Sequence, residues 1–143
     1  MADTNLNRFL EAQETDYPIA FSEIKSGKKR SHWMWYIFPQ IHGLGFSETS
    51  KIYSIKNIQE AEGFLNDPVL GKRLIEICNE LLKLKTNNAN EIFGSPDDLK
   101  LRSSLTLFSS LKNTAPVFQK VLEKFFDGKK DEKTFRILAD ESK

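Results

Sequence analysis

Residues 28–45 concentrate side chains that could bind a ligand or move a proton. This segment, KKRSHWMWYIFPQIHGLG, contains three basic residues, both histidines and both tryptophans of the chain. Arg30 and His32 could hold a phosphate or carboxylate, because positive side chains beside backbone N–H groups at a helix start attract anions. Trp33 or Trp35, at the rim of a fold, could stack on a flat ring. The segment is therefore the first candidate for a ligand-binding site.

The same segment has structural explanations that remain open. Residues 33–38, WMWYIF, are apolar all round, and most of them must pack in a core. Lys28 and Lys29 fit a solvated loop, because cations are favourable near the end of a preceding helix. Gln40 lies in a loop beside glycines, which is a common position for a polar contact to a ligand.

A second candidate group lies in a helix near residue 100. Lys100, Ser103 and Ser104 fall within about one helical turn and could share a face. The two serines in an otherwise apolar helix either permit close helix packing or present hydroxyls to a pocket. For general acid–base chemistry, His32 and Asp98 are the candidate groups.

Several function classes find no support in the sequence. No nucleophile elbow, Walker loop, dinucleotide-binding glycine pattern or HExxH motif is present. Cys78 falls in an apolar helical stripe and fits a small core residue. His32 and His42 do not have the spacing of metal ligands on one helix face, so we expect no metal site, and we expect no cofactor.

Composition favours one domain, 1–143, located in the cytoplasm. Lys and Arg (21) nearly balance Asp and Glu (20), so a nucleic-acid partner is disfavoured. No apolar run approaches the roughly 20 residues that span a bilayer, and no signal peptide is recognised, so no membrane partner is expected. A single cysteine suits a reducing compartment.

Periodicity predicts an all-α fold of about seven to nine short-to-medium helices with no substantial sheet. The shorter helices are expected to surround a central pair, 68–85 and 96–112. The remaining predicted segments are 5–15, a second piece ending near Gly27, 32–38, a turn through Ile52, a helix from Asn57, 91–94, 116–126 and 132–140.

Local signals set the expected helix boundaries and buried faces. Pro18 either kinks the first helix or begins a second one. Ser31 and Ser95 are expected to cap the helices that follow them. In helix 96–112, the expected buried side chains are Leu99, Leu101 (less securely), Leu105, Phe108 and Leu111.

Five blocks of the sequence resemble a bacterial family known as domain of unknown function 1810, whose members are sometimes labelled calpastatin. The blocks are RFLEAQ (8–13), SHWMWYIFPQIHGLG (31–45), EAEGFLNDPVLGKRL (60–74), IFGSPDDLKLRSSLTLF (92–108) and FFDGKKDEKTFRIL (125–138). The resemblance implies a compact multihelical fold. It implies no particular reaction.

Two functions follow from these patterns, and the sequence leaves open whether the protein is an enzyme. The first is binding of, or action on, a phosphate-bearing small molecule, nucleotide-like or ADP-ribose-like. Its predicted ligand-binding residues are Arg30, His32, Trp33, Trp35, Gln40, Lys100, Ser103 and Ser104. The second is a non-enzymatic protein-interaction module that uses the aromatic block 33–38, since Trp, Tyr and Arg are common interface anchors.

Overall fold

Helices account for all the regular structure in the part of the chain that can be described. The computed structural model describes residues 6–45 and 47–141, and no strand occurs within these ranges. The nine helices found there confirm the predicted all-α class. They are α1 (Asn7–Lys25), α2 (Met34–Ile37), α3 (Glu48–Ile52), α4 (Ile58–Asn66), α5 (Leu70–Leu82), α6 (Ala89–Phe93), α7 (Asp97–Ser109), α8 (Pro116–Phe126) and α9 (Glu132–Glu141).

The first helix continues through its proline. Pro18 lies inside α1, which runs without a break to Lys25. Gly27 follows with a φ of 83°, a backbone conformation that glycine adopts at little cost, so the predicted end near Gly27 is confirmed. The predicted start at residue 5 lies outside the described residues.

Two of the predicted N-caps are wrong. The short helix α2 begins only at Met34, and its cap, Trp33, makes no side-chain capping hydrogen bond. Ser31 lies outside this helix, and its hydroxyl donates to Glu23 instead of capping the helix. At α7 the cap residue is Pro96, again without a side-chain capping bond, so Ser95 does not cap the helix.

One continuous hydrophobic core holds the helices together. The predicted stripe of α5 is confirmed at Leu74, Ile77 and Cys78, all of which are buried. In α7 the prediction for Leu99 is wrong, because half of this side chain is exposed (50%), whereas Leu101 is fully buried. Helix α7 is buried around much of its circumference, so a single apolar stripe describes it poorly.

Helix α8 takes a central place that the sequence did not indicate. It packs against both α5 and α7, while α5 also packs against α1 and α4. The expected direct pairing of α5 with α7 is therefore wrong, because α8 packs against both of them and connects them. Among the described residues, no helix is long and apolar enough to cross a membrane.

The approach of α5 to the end of α4 requires a glycine at position 71, which gives a stability prediction. A Cβ atom on Gly71 would lie 2.0 Å from the carbonyl oxygen of Leu65, a contact that only backbone movement can relieve. We expect Gly71→Ala to lower the free energy of unfolding by about 1–3 kcal/mol. Chemical denaturation followed by circular dichroism measures this change.

Gly63 in α4 provides the matched control. A Cβ atom there would find its nearest neighbour, Leu6 Cδ1, at 3.9 Å, which is an ordinary contact. Because glycine disfavours a helix, Gly63→Ala should raise the free energy of unfolding by roughly 0.5–1 kcal/mol. Equal effects of the two substitutions would contradict the packing described for Gly71.

Candidate functional site

One carboxylate on α1 fixes the chain that leads into α2. Glu23 Oε1 accepts hydrogen bonds from the backbone N–H groups of Arg30 (2.7 Å) and Ser31 (3.0 Å) and from the Trp33 indole N–H (2.9 Å). Its Oε2 accepts from the Ser31 hydroxyl at 2.5 Å. Partial burial raises the pKa of Glu23, but these hydrogen bonds to the charged form outweigh it and lower the pKa to about 2.

The orientation of α2 is fixed by a second set of hydrogen bonds from α1. The side-chain amide of Gln13 donates to the Tyr36 carbonyl at 2.7 Å. The Tyr36 hydroxyl donates to the Asp16 carboxylate, and burial together with this bond raises the pKa of Tyr36. With Tyr36 turned toward α1, Trp35 is left half-buried at the surface.

Gln40 is placed by a short backbone pairing. Ile41 and Ile55 form an isolated parallel bridge, in which Ile55 N–H donates to the Gln40 carbonyl (2.8 Å) and His42 N–H donates to the Ile55 carbonyl (2.7 Å). This pairing fixes the backbone on both sides of Ile41. The half-buried Gln40 side chain makes no hydrogen bond to any residue that the structure describes.

Helix α7 brings Lys100 and Ser103 to the exposed side of Trp35. The Lys100 ammonium lies 5.2 Å from the centroid of the Trp35 ring and 3.4 Å from Asp97 Oδ1. Ser103, one turn further along, donates its hydroxyl to the Leu99 carbonyl at 3.2 Å. The hydroxyl oxygen keeps the capacity to accept another hydrogen bond.

Asp97 connects this part of α7 to the 28–45 segment. Its Oδ2 lies 2.9 Å from the ammonium of Lys29, whose side chain is only 8% exposed. The same ammonium lies 5.1 Å from the Trp33 ring centroid, and Lys29 N–H donates to the Ile92 carbonyl at 2.7 Å. Lys29 is therefore part of the interior contact between the segment and α7, and not a solvated loop residue.

These elements surround an open cavity of about 410 Å³, which we call the Trp35 pocket. Its volume is within the range of small-molecule sites. The residues that line it are Trp35, Gln40, Leu44, Gly45, Ser47, Ser50, Pro96, Leu99, Lys100, Ser103, Asp131 and Lys133.

The start of α9 also lines the pocket, although the sequence predicts no site residue there. Asp131 Oδ2 accepts from the N–H (2.9 Å) and hydroxyl (2.6 Å) of Thr134, as an N-cap does. Its Oδ1 lies 3.9 Å from Arg102 Nη2. An acidic residue before a helix is accounted for by this capping role alone, so the sequence pattern did not indicate Asp131 as a site residue. Lys133 also showed no pattern that indicated a site.

The predicted site residues are only partly brought together. Four of them line the Trp35 pocket: Trp35, Gln40, Lys100 and Ser103. The other four do not line it: Arg30 and His32, which are exposed, and Trp33 and Ser104, which are buried.

The two predicted catalytic candidates lie apart from the pocket and from each other. Asp98 lines a separate cavity of about 560 Å³, and its Oδ2 accepts from the Asn90 side-chain amide at 3.3 Å. The exposed side chain of His32 contributes to neither cavity.

The pocket contains side chains that could bind a ligand but few that could act as a general acid or base, a nucleophile or a metal ligand. Among the residues that the structure describes, Asp131 is the one carboxylate in the lining, and it already caps a helix and lies near a guanidinium. Cys78 is fully buried, and burial raises the pKa of its thiol, which keeps it protonated. Within the described ranges, no group of three or more His, Cys, Asp or Glu side chains is arranged to hold a metal ion.

Comparison with known proteins assigns a family. Residues 3–138 match the family described as "Protein of unknown function (DUF1810)". The chain belongs to this family. It is also similar to a solved structure, the conserved hypothetical protein Rv1873 from Mycobacterium tuberculosis, with a TM-score of 0.93 and 39% identity over 96% of this chain and 99% of that one. No curated protein matches the chain.

The hydrogen bonds to Glu23 predict a pH-dependent contribution to the stability of this DUF1810 protein. Because its pKa is lowered from 4.5 to about 2 in the folded state, Glu23 stabilises the fold above pH 4.5, and this contribution is lost as the pH falls toward 2. At neutral pH, Glu23→Gln should lower the free energy of unfolding by about 1–3 kcal/mol. The difference from wild type should shrink between pH 4.5 and pH 2.

Denaturation curves at several pH values measure this effect, with Glu14→Gln as the control. Glu14 is exposed on the same helix. Its substitution should change stability by no more than about 0.5 kcal/mol. A loss for Glu23→Gln that stays constant down to pH 2 would show that charge on Glu23 is not what holds the segment.

Proposed function

We propose that this protein binds a small molecule that carries a phosphate and a flat ring, nucleotide-like or ADP-ribose-like, in the Trp35 pocket. The observation that supports this most is the meeting of Trp35, Gln40, Lys100 and Ser103 around one cavity. These residues come from two segments about 60 positions apart in the chain, and the sequence predicts all four as ligand-binding residues.

The ring-binding part of the proposal rests on Trp35. This side chain is half-buried and lines the cavity, so part of its indole is accessible to a ligand. Leu44, Pro96 and Leu99 add apolar walls. Indole stacks on any flat ring, and stacking on a base contributes about 1–3 kcal/mol in nucleic-acid complexes.

The anion-binding part rests on Lys100 and Lys133. Both line the pocket, from α7 and α9 respectively. Ammonium groups bind phosphate through charge-assisted hydrogen bonds, which are stronger than bonds between neutral groups. The Gln40 amide and the Ser103 hydroxyl add the few polar contacts that orient a ligand in a typical site.

Binding fits the pocket better than catalysis does. His32 and Asp98, the candidates for acid–base chemistry, lie away from it, and a general base must reach the proton it removes. The alternative of a protein-interaction module built on the aromatic block is less well supported. Of its six residues only Trp35 is not buried, so little of the block is available to a partner.

Ligand binding is tested by titrating the isotopically labelled protein with AMP and with ADP-ribose while following the indole N–H resonance of Trp35. We expect saturable shifts at Trp35 and at residues around it. Trp35→Ala, followed at the backbone resonances of Lys100 and Ser103, should weaken binding about tenfold or more, because the stacking surface is removed.

Asp98→Asn is the matched control, since Asp98 lies on α7 but outside the pocket. It should leave the dissociation constant unchanged, and thermal denaturation of both variants checks that they remain folded. If neither nucleotide shifts the Trp35 resonance at millimolar concentration, the proposal is wrong.

A further inference from the structure

In the free protein the Trp35 ring already carries a cation. The Lys100 ammonium lies 5.2 Å from the ring centroid, within the distance at which a cation is attracted to an aromatic face. The same ammonium lies 3.4 Å from Asp97 Oδ1. Lys100 therefore has two partners before any ligand arrives, and one of them is the surface on which a ring would stack.

Asp97 is itself held in place. Its other oxygen lies 2.9 Å from the ammonium of Lys29, whose side chain is nearly buried, whereas the Lys100 side chain is 27% exposed. Of the two lysines that share Asp97, Lys100 is the one that solvent and a ligand can reach. Its ammonium is thus the group that can exchange partners while Asp97 stays fixed.

Because of these contacts, a ring alone, a phosphate alone and a ring that carries a phosphate should bind with different affinities. A neutral ring that stacks on the cation-bearing face of Trp35 must displace the ammonium and offers it no new partner. Inorganic phosphate must compete with Asp97 for the ammonium and gains no stacking. A ring that carries a phosphate can take the face of Trp35 and give the displaced ammonium an anion at the same time.

We propose that Lys100, held between Asp97 and the Trp35 ring, is a specificity-determining residue that makes the pocket select a ring-bearing phosphate of the nucleoside monophosphate class over either part alone. This inference rests on the proposed function and narrows its ligand. The described lining residues carry two ammonium groups, of Lys100 and Lys133, and one carboxylate, of Asp131, so the formal charge of this lining is small and positive. Such a balance fits one phosphate group better than a pyrophosphate.

The test measures dissociation constants of wild type, Lys100→Gln and Lys100→Arg for AMP, adenosine and inorganic phosphate, again at the Trp35 indole resonance. For wild type, we expect AMP to bind at least about tenfold more tightly than adenosine or phosphate. For Lys100→Gln, AMP should bind about tenfold more weakly and adenosine severalfold more tightly than to wild type. A structural role of Lys100 would not produce opposite changes for the two ligands.

Lys100→Arg keeps the cation and should keep the preference for AMP. Lys120→Gln, which removes a charge from an exposed position on α8, is the control and should change none of the constants. Equal affinity of wild type for AMP and adenosine, or equal weakening of both by Lys100→Gln, would overturn the role of Lys100 and leave the proposed ligand site standing. Absence of binding by all three probes to wild type would overturn both.

Discussion

The hydrogen bonds to the Glu23 carboxylate are the constraint on which the rest of the site depends. The chain between α1 and α2 has no regular structure, so its N–H groups need partners outside a helix. A buried indole N–H without a partner would be costly, and Trp33 is 1% exposed. Glu23 Oε1 accepts hydrogen bonds from two of these backbone N–H groups and from the Trp33 indole. Because α2 begins at the residue after Trp33, the buried position of Trp33 places Trp35 at the surface.

The second tie, between Lys29 and Asp97, explains why a pocket forms between distant segments. An ion pair with so little exposure loses much of its hydration, and it is retained where additional contacts offset that cost. Here the Trp33 ring supplies such a contact for the ammonium. The pair fixes the first turn of α7 against the 28–45 segment. Lys100 and Trp35 therefore lie close together because of this tertiary contact, and the sequence around either residue does not predict it.

Most helices could be predicted from the sequence because capping residues and apolar spacing act within a few residues of the chain. The wrong predictions concern residues whose partners lie in other elements of the fold. Ser47 and Asn57 each precede a helix and cap it with a side-chain oxygen, as these residue types commonly do. Ser31 has the same pattern, yet a carboxylate eight residues away in the chain takes its hydroxyl. Leu99 looks apolar and well spaced, but α8, α9 and the core bury other sides of α7. Asp131 reaches the pocket only through tertiary packing, which no local pattern encodes.

The two tryptophans show why half of the predicted site residues line the Trp35 pocket and the other half do not. They are two positions apart, which turns side chains by about 200° where the chain is helical, so both cannot face the same way. Trp33 points inward and its N–H is satisfied by Glu23, whereas Trp35 points outward and its ring meets Lys100. Residue type and spacing make both equally good candidates for stacking. The partners on α1, Glu23 for Trp33 and Gln13 and Asp16 for Tyr36, decide which indole belongs to the core and which to the pocket.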